Sequence, residues 1–129
     1  MNVLVIEDNE QNLYLTRYLL EARGHRVSDA RSGREGIAAA RAAAPDIILL
    51  DIELPQMDGY AVARVLRGIP ALDAVAIVAV TSYAMNGDRS KALAAGCDAY
   101  VEKPIDPDRF AGQVEAAAAA GRGQSKDPS

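Results

Sequence analysis

Three short apolar runs end in polar groups, and this pattern constrains the fold more than any other feature of the chain. Ile47-Ile48-Leu49-Leu50 runs into Asp51, Val3-Leu4-Val5-Ile6 into Glu7-Asp8, and Ala79-Val80 into Thr81, with Val101-Glu102-Lys103-Pro104 further on. Continuous aliphatic and β-branched runs of this length suit strands buried on both faces of a parallel sheet. Ligand sites in such sheets lie outside the carboxyl ends of the strands. Parallel strands would therefore bring Glu7, Asp8, Asp51, Thr81 and Lys103 to one crevice. Three acids, a hydroxyl and an ammonium at one place are hard to explain as packing.

Strand and helix patterns alternate along the whole chain, as βαβ units require. Strands are predicted at about Val3–Glu7, Arg26–Ala30, Asp46–Asp51, Ala76–Thr81 and Ala99–Glu102, the second being polar enough for a sheet edge. The first helix is expected over Glu10–Arg23, with Asn9 as N-cap and Gly24 as its stop. Ser32 and Glu35 have capping-box spacing before an alanine-rich helix that ends ahead of Pro45. Further helices are expected over Tyr60–Arg67 and Asp88–Ala95. Asp106-Pro107 looks like an N-cap followed by Pro at the first helical position, opening a last helix that runs to about Ala120. Five strands and five helices in this order give an α/β, flavodoxin-like domain over residues 1–120, with strand order 2-1-3-4-5. Residues 121–129 are expected to form a flexible polar tail.

At 129 residues the chain has room for one full core. Its net charge of −4 argues against direct DNA binding, and leaving aside the three crevice acids removes most of the excess. The lone Cys97 excludes an internal disulfide and a cysteine-based zinc site, and reads as a small buried residue. His25, in the turn after Gly24, is expected to be solvent-exposed. No secretory signal or membrane-spanning run is evident, which makes a cytoplasmic setting the expectation.

The acids carry the chemistry. Two carboxylates ~4 Å apart repel by about 4 kcal/mol at an effective dielectric near ~20. Three together need a cation or a raised pKa. A hard divalent metal is the economical answer, and Mg²⁺ favours one or two carboxylates together with water and phosphate oxygens. Lys103 adds a second positive charge and Thr81 a hydroxyl donor, which makes a pocket for the oxygens of a transferring phosphoryl group. Asp51 would then be the nucleophile that becomes an aspartyl phosphate. A nucleotide or flavin site is disfavoured, because the first loop, Glu7-Asp8-Asn9-Glu10, repels phosphate unless a metal intervenes. No Walker motif or Gly-x-Gly-x-x-Gly is present.

The segments Val5-Ile6-Glu7-Asp8-Asn9, Leu49-Leu50-Asp51-Ile52, Leu54-Pro55-Gln56-Met57-Asp58-Gly59, Val80-Thr81 and Tyr100-Val101-Glu102-Lys103-Pro104 occur in this order at strand ends. Together they resemble a CheY-like response-regulator receiver domain over roughly Asn2–Ala120, most similar to the single-domain DivK type. The resemblance implies a two-component signalling switch and not an enzyme in the ordinary sense, with self-catalysed phosphorylation and dephosphorylation. Asp51 resembles the phosphoacceptor. Glu7, Asp8, Asp51 and the backbone carbonyl of Glu53 resemble the ligands of Mg²⁺, with Mn²⁺ as a substitute. Thr81 and Lys103 resemble the phosphoryl-binding groups, and Tyr100 the switch aromatic. Pro104 resembles the residue preceded by a cis peptide. Glu53 and Tyr83 occupy positions that modulate phosphoryl lifetime, and the bulky Tyr83 is expected to shield the phosphoryl group from water.

The implied partners are a sensor histidine kinase or a histidine phosphotransferase, and a downstream protein target. Gln11, Asn12, Leu15, Pro104 and Ile105 match docking positions for the phosphodonor, with an ordinary helix face as the alternative. The exposed side of helix four, strand five and helix five is the implied output surface, with Arg89, Lys91 and Phe110 as candidates. A monomer or a weak phosphorylation-dependent dimer is expected. Glu7 stands where many relatives carry Asp, and its longer arm should still reach a metal. Two other readings remain open. A haloacid dehalogenase-type phosphotransferase also uses a strand-end Asp, but usually with a second Asp where Glu53 stands. A phosphorylation-independent adaptor would keep only the fold.

Overall fold

The computed structural model describes residues 1–82 and 88–121. The elements are β1 (Asn2–Ile6), α1 (Glu10–Glu21), β2 (Arg26–Ala30), α2 (Gly33–Ala42), β3 (Ile47–Asp51), α3 (Gly59–Arg67), a 3₁₀ turn at Pro70–Leu72, β4 (Ala76–Thr81), α4 (Asp88–Ala94), β5 (Ala99–Glu102) and α5 (Phe110–Ala120). All strand pairs are parallel, and the sheet order is β2-β1-β3-β4-β5. The expected architecture is therefore the observed one, with the polar β2 at an edge.

Alternation along each strand splits the core in two. Leu4, Ile6, Ile48, Leu50, Ile77 and Ala79 face a cluster closed by Val62 and Leu66 of α3 and Ala92 of α4. Val3, Val5, Ile47, Leu49, Val78 and Val80 face the other side, closed by Leu13 and Leu20 of α1 and by Phe110 and Val114 of α5. Strands β3 and β4 are buried along their full length, which explains why they read as unbroken apolar runs.

The helix ends follow their local chemistry. The Asn9 side chain accepts from the Asn12 amide, and the Ser32 hydroxyl from the Glu35 amide, as the capping signals required. Helix α1 ends at Glu21, two residues before the expected Arg23. The amides of Arg23 and Gly24 bond to Leu20 and Glu21, tightening the last turn, and Gly24 takes a positive φ of 88°. Helix α5 begins at Phe110 and not at Pro107. The Asp106 side chain accepts from the Asp108 amide and its carbonyl from Arg109 and Phe110, so residues 106–109 form a separate capped turn.

Three further expectations meet different outcomes. Cys97 is buried, as its small apolar setting suggested, and burial pushes its thiol up to about 12. His25 is not a free surface residue. It is half-buried, with Nε2 2.7 Å from the Glu115 carboxylate of α5 and Nδ1 3.2 Å from the Met1 amine. Phe110 is fully buried and cannot belong to an output surface. Its helix position points it at the sheet, among Val3, Val5 and Leu49.

A buried pair joins α3 to the start of β5. Arg67 bonds to Asp98, and also donates to the carbonyls of Gly96 at 2.8 Å and Leu72 at 3.2 Å. Asp98 in turn accepts from the Ile77 amide at 2.9 Å. Every partner in this network is satisfied, which is what makes a buried ion pair tolerable. Among the described residues no helix is long and apolar enough to cross a membrane.

Candidate functional site

Strand termination places the site. β1, β3 and β4 end side by side, so the residues that follow their apolar runs emerge at one edge of the sheet. Carboxylate oxygens of Glu7, Asp8 and Asp51 lie within 4.8 Å of one another, with Glu7 and Asp51 buried and Asp8 exposed. The Lys103 ammonium reaches in from the end of β5, 3.3 Å from both Glu7 Oε1 and Asp51 Oδ1. The Lys103 amide donates to the Thr81 carbonyl at 2.8 Å, which ties the end of β5 to the end of β4. The peptide between Lys103 and Pro104 is cis, as the resemblance implied.

The electrostatics follow from crowding. Burial, a hydrogen bond shared with Asp51 and the Asp51 charge push the Glu7 carboxyl up to about 7, against the opposing pull of Lys103 and the Asn9 amide. Burial works against the Lys103 ammonium, but Glu7 and Asp51 outweigh it and hold its pKa above the ordinary value. One ammonium thus faces three acids, two of them buried. This donor set, all carboxylate oxygen and short of positive charge, fits a hard divalent cation.

The β3–α3 loop is fixed at both ends. The Glu53 amide donates to Asp51 Oδ1 at 2.9 Å and orients the carboxylate. The Gly59 amide bonds to the Ile52 carbonyl, and a Cβ at Gly59 would lie 2.4 Å from Ile52 Cα and 2.8 Å from the Asp51 carbonyl. Only glycine permits that approach of α3 to the strand end.

Thr81 is fully buried beside this crevice, and its hydroxyl donates to the Glu53 carboxylate. The Ser82 amide and hydroxyl bond to the same carboxylate. Sequence reasoning assigned Glu53 a backbone ligand and a place near the phosphoryl group, but not this contact. It missed Ser82 altogether, although two adjacent hydroxyl residues at a strand end were a usable signal. Tyr100 is half-buried against the core on the α3 side of the sheet. Tyr83 lies outside the described residues. Of the implied docking positions, Gln11 and Pro104 are exposed and Asn12, Leu15 and Ile105 half-buried, with Ile105 packed on the α1–α5 core. Arg89 and Lys91 are exposed on α4.

A doubly wound parallel sheet with an acid triad and a lysine at its strand ends defines a receiver-type signalling domain. Residues 3–115 match the response regulator receiver domain, and the chain belongs to that family. It is 42% identical to the polar-differentiation response regulator DivK of Brucella ovis over 109 residues, 84% of this chain and 89% of that protein. The fold is similar to a CheY-like receiver domain from Methanospirillum hungatei, with a TM-score of 0.84 at 27% identity, covering 92% of this chain and 93% of that one. It is equally similar, at 30% identity and a TM-score of 0.84, to the receiver domain of a sensor histidine kinase from Pseudomonas aeruginosa, covering 92% and 97% of the two chains. That structure holds a magnesium ion in its active-site cleft.

Proposed function

We propose that this response regulator works as a phosphoacceptor switch in which Asp51 takes a phosphoryl group from a phosphohistidine. The reading is carried by one observation, the convergence of Glu7, Asp8 and Asp51 within 4.8 Å with Lys103 on Asp51. An Asp51 carboxylate oxygen attacks phosphorus as the bond to the donor imidazole breaks, and the imidazole nitrogen keeps the bonding pair. Attack of water on the aspartyl phosphate later releases inorganic phosphate and restores the carboxylate. Glu7, Asp8, Asp51 and the Glu53 carbonyl would hold Mg²⁺, or Mn²⁺ in its place. When bound, the ion supplies the positive charge that draws phosphoryl oxygens to a site lined with acids.

The remaining roles belong to the chain's own residues. Glu53, through its amide, holds Asp51 in a fixed orientation. Lys103 neutralises charge on Asp51 and binds a phosphoryl oxygen. Thr81 turns its hydroxyl toward the phosphoryl group and Tyr100 packs inward behind it. Together they shift a two-state equilibrium that alters the face formed by α4, β5 and α5. Arg89 and Lys91 would meet a protein target there. The donor, a sensor histidine kinase or a histidine phosphotransferase, would dock near Gln11, Asn12, Leu15, Pro104 and Ile105.

The test is intact-protein mass after incubation with acetyl phosphate. A single phosphoryl adduct that requires both Mg²⁺ and Asp51, and is absent from Asp51→Asn, is the expected result. A folded wild-type protein that forms no adduct with acetyl phosphate or with a phosphorylated histidine kinase would sink the reading.

A further inference from the structure

Three donors at the end of β4 converge on one acid. The Glu53 carboxylate accepts from the Thr81 hydroxyl, from the Ser82 amide at 3.0 and 3.2 Å, and from the Ser82 hydroxyl at 2.6 Å. Thr81 is fully buried and Glu53 half-buried, so water competes poorly for the Thr81 bond. Asp51 and Val80 are register partners on adjacent strands, which puts the acid and its donors beside Asp51.

A carboxylate and a phosphoryl group are both oxygen anions, and they seek the same N–H and O–H donors. We propose that the Glu53 side chain is a latch, an internal anion that occupies the Thr81 and Ser82 donors until a phosphoryl group on Asp51 displaces it. The inference rests on the phosphoacceptor reading of Asp51. It makes Glu53 a positioning residue through its side chain, in addition to its backbone. In the resting protein the Thr81 hydroxyl is committed to Glu53. On phosphorylation the new negative charge repels Glu53 and offers the donors a stronger acceptor. Glu53 is half-exposed, so its carboxylate has a route to water when it leaves. The resting conformation is thereby held by specific bonds, and a weakly held anion at the crevice does not trip the switch.

A simpler alternative is that Glu53 only adds negative charge and repels every anion alike. The two ideas differ in whether the effect of Glu53 depends on Thr81. The experiment titrates beryllofluoride with Mg²⁺ into ¹⁵N-labelled full-length wild type, Glu53→Ala, Glu53→Gln, Thr81→Ala and the Glu53→Ala/Thr81→Ala double variant. It reads the Ser82 amide resonance throughout.

The latch predicts that Glu53→Ala shifts the resting Ser82 resonance upfield and lowers the half-saturating beryllofluoride concentration about tenfold. Glu53→Gln, which keeps an acceptor oxygen, gives an intermediate gain. In the Thr81→Ala background the gain from Glu53→Ala shrinks to about threefold or less, because one of the contested donors is gone. A Ser82 resonance indifferent to Glu53→Ala overturns the latch. So does a full tenfold gain without Thr81, which is what plain repulsion gives. A wild-type protein that ignores beryllofluoride defeats the phosphoacceptor reading and the latch with it, whereas the two preceding outcomes overturn the latch and leave that reading standing.

Discussion

The Lys103 ammonium lies 3.3 Å from Asp51 Oδ1, and both side chains are largely buried, so the pair is a local charge balance and not a surface ion pair. Removing one electrostatic stabiliser from a preorganised site typically costs about 10²–10³ in rate. Lys103→Met should therefore slow adduct formation with acetyl phosphate by about that factor. Mg²⁺ binding, followed by titration calorimetry, should persist or tighten because a competing cation has gone. Loss of metal binding together with labelling would assign Lys103 a structural role only.

The raised Glu7 carboxyl links stability to pH. Its folded value of about 7 lies above the ordinary 4.5, so the folded metal-free protein holds a proton that the unfolded chain gives up. That stabilisation is fully present below about 4.5 and is lost as pH rises through about 7. Metal binds the deprotonated form, so Mg²⁺ should raise the melting temperature more at pH 8 than at pH 6. Equal shifts at the two pH values, measured by scanning calorimetry, would show that Glu7 does not titrate against the metal.

Arg67 and Asp98 are exposed by less than a tenth, and each holds backbone groups besides its partner. Breaking a buried pair from one side typically costs about 3–5 kcal/mol. Arg67→Met and Asp98→Asn should each lower urea stability by roughly that amount, while acetyl phosphate labelling of the folded fraction stays near wild type. A cost within about 0.5 kcal/mol, the ordinary surface range, would contradict the geometry.

Phe110→Ala should cost about 3–5 kcal/mol, the range for truncating a buried Phe. Arg89→Ala and Lys91→Ala should leave stability unchanged to within about 0.5 kcal/mol. Denaturant titration of the three variants separates a core residue from surface candidates. A neutral Phe110→Ala would return that residue to the output face.

What the sequence disclosed depended on how local the cause was. β3 and β4 were legible because burial on both faces leaves no polar position to blur the run. Glu7, Asp8, Asp51 and Lys103 were legible because parallel topology alone carries strand ends to one edge. The start of α5 was not, since Asp106-Pro107 caps a turn as readily as a helix, and the choice lies in the backbone of residues 106–109. Phe110 was placed on the output face by the resemblance alone, and its packing against the sheet depends on contacts with distant strands. The partners of His25 and Glu53 come from distant segments, Glu115 and Thr81-Ser82, and no local pattern announces them.

The contact at Gly59 bears on where motion can originate. With space for no more than a hydrogen between α3 and the strand carrying Asp51, the segment from Ile52 to Gly59 is pinned like a bracket at both ends. Such a bracket transmits force but does not travel. Any stroke started at Asp51 must be taken up across the crevice, where Thr81 and Ser82 are held by hydrogen bonds that can be exchanged. On the phosphoacceptor reading, Gly59 would be the fixed bearing against which the opposite wall moves.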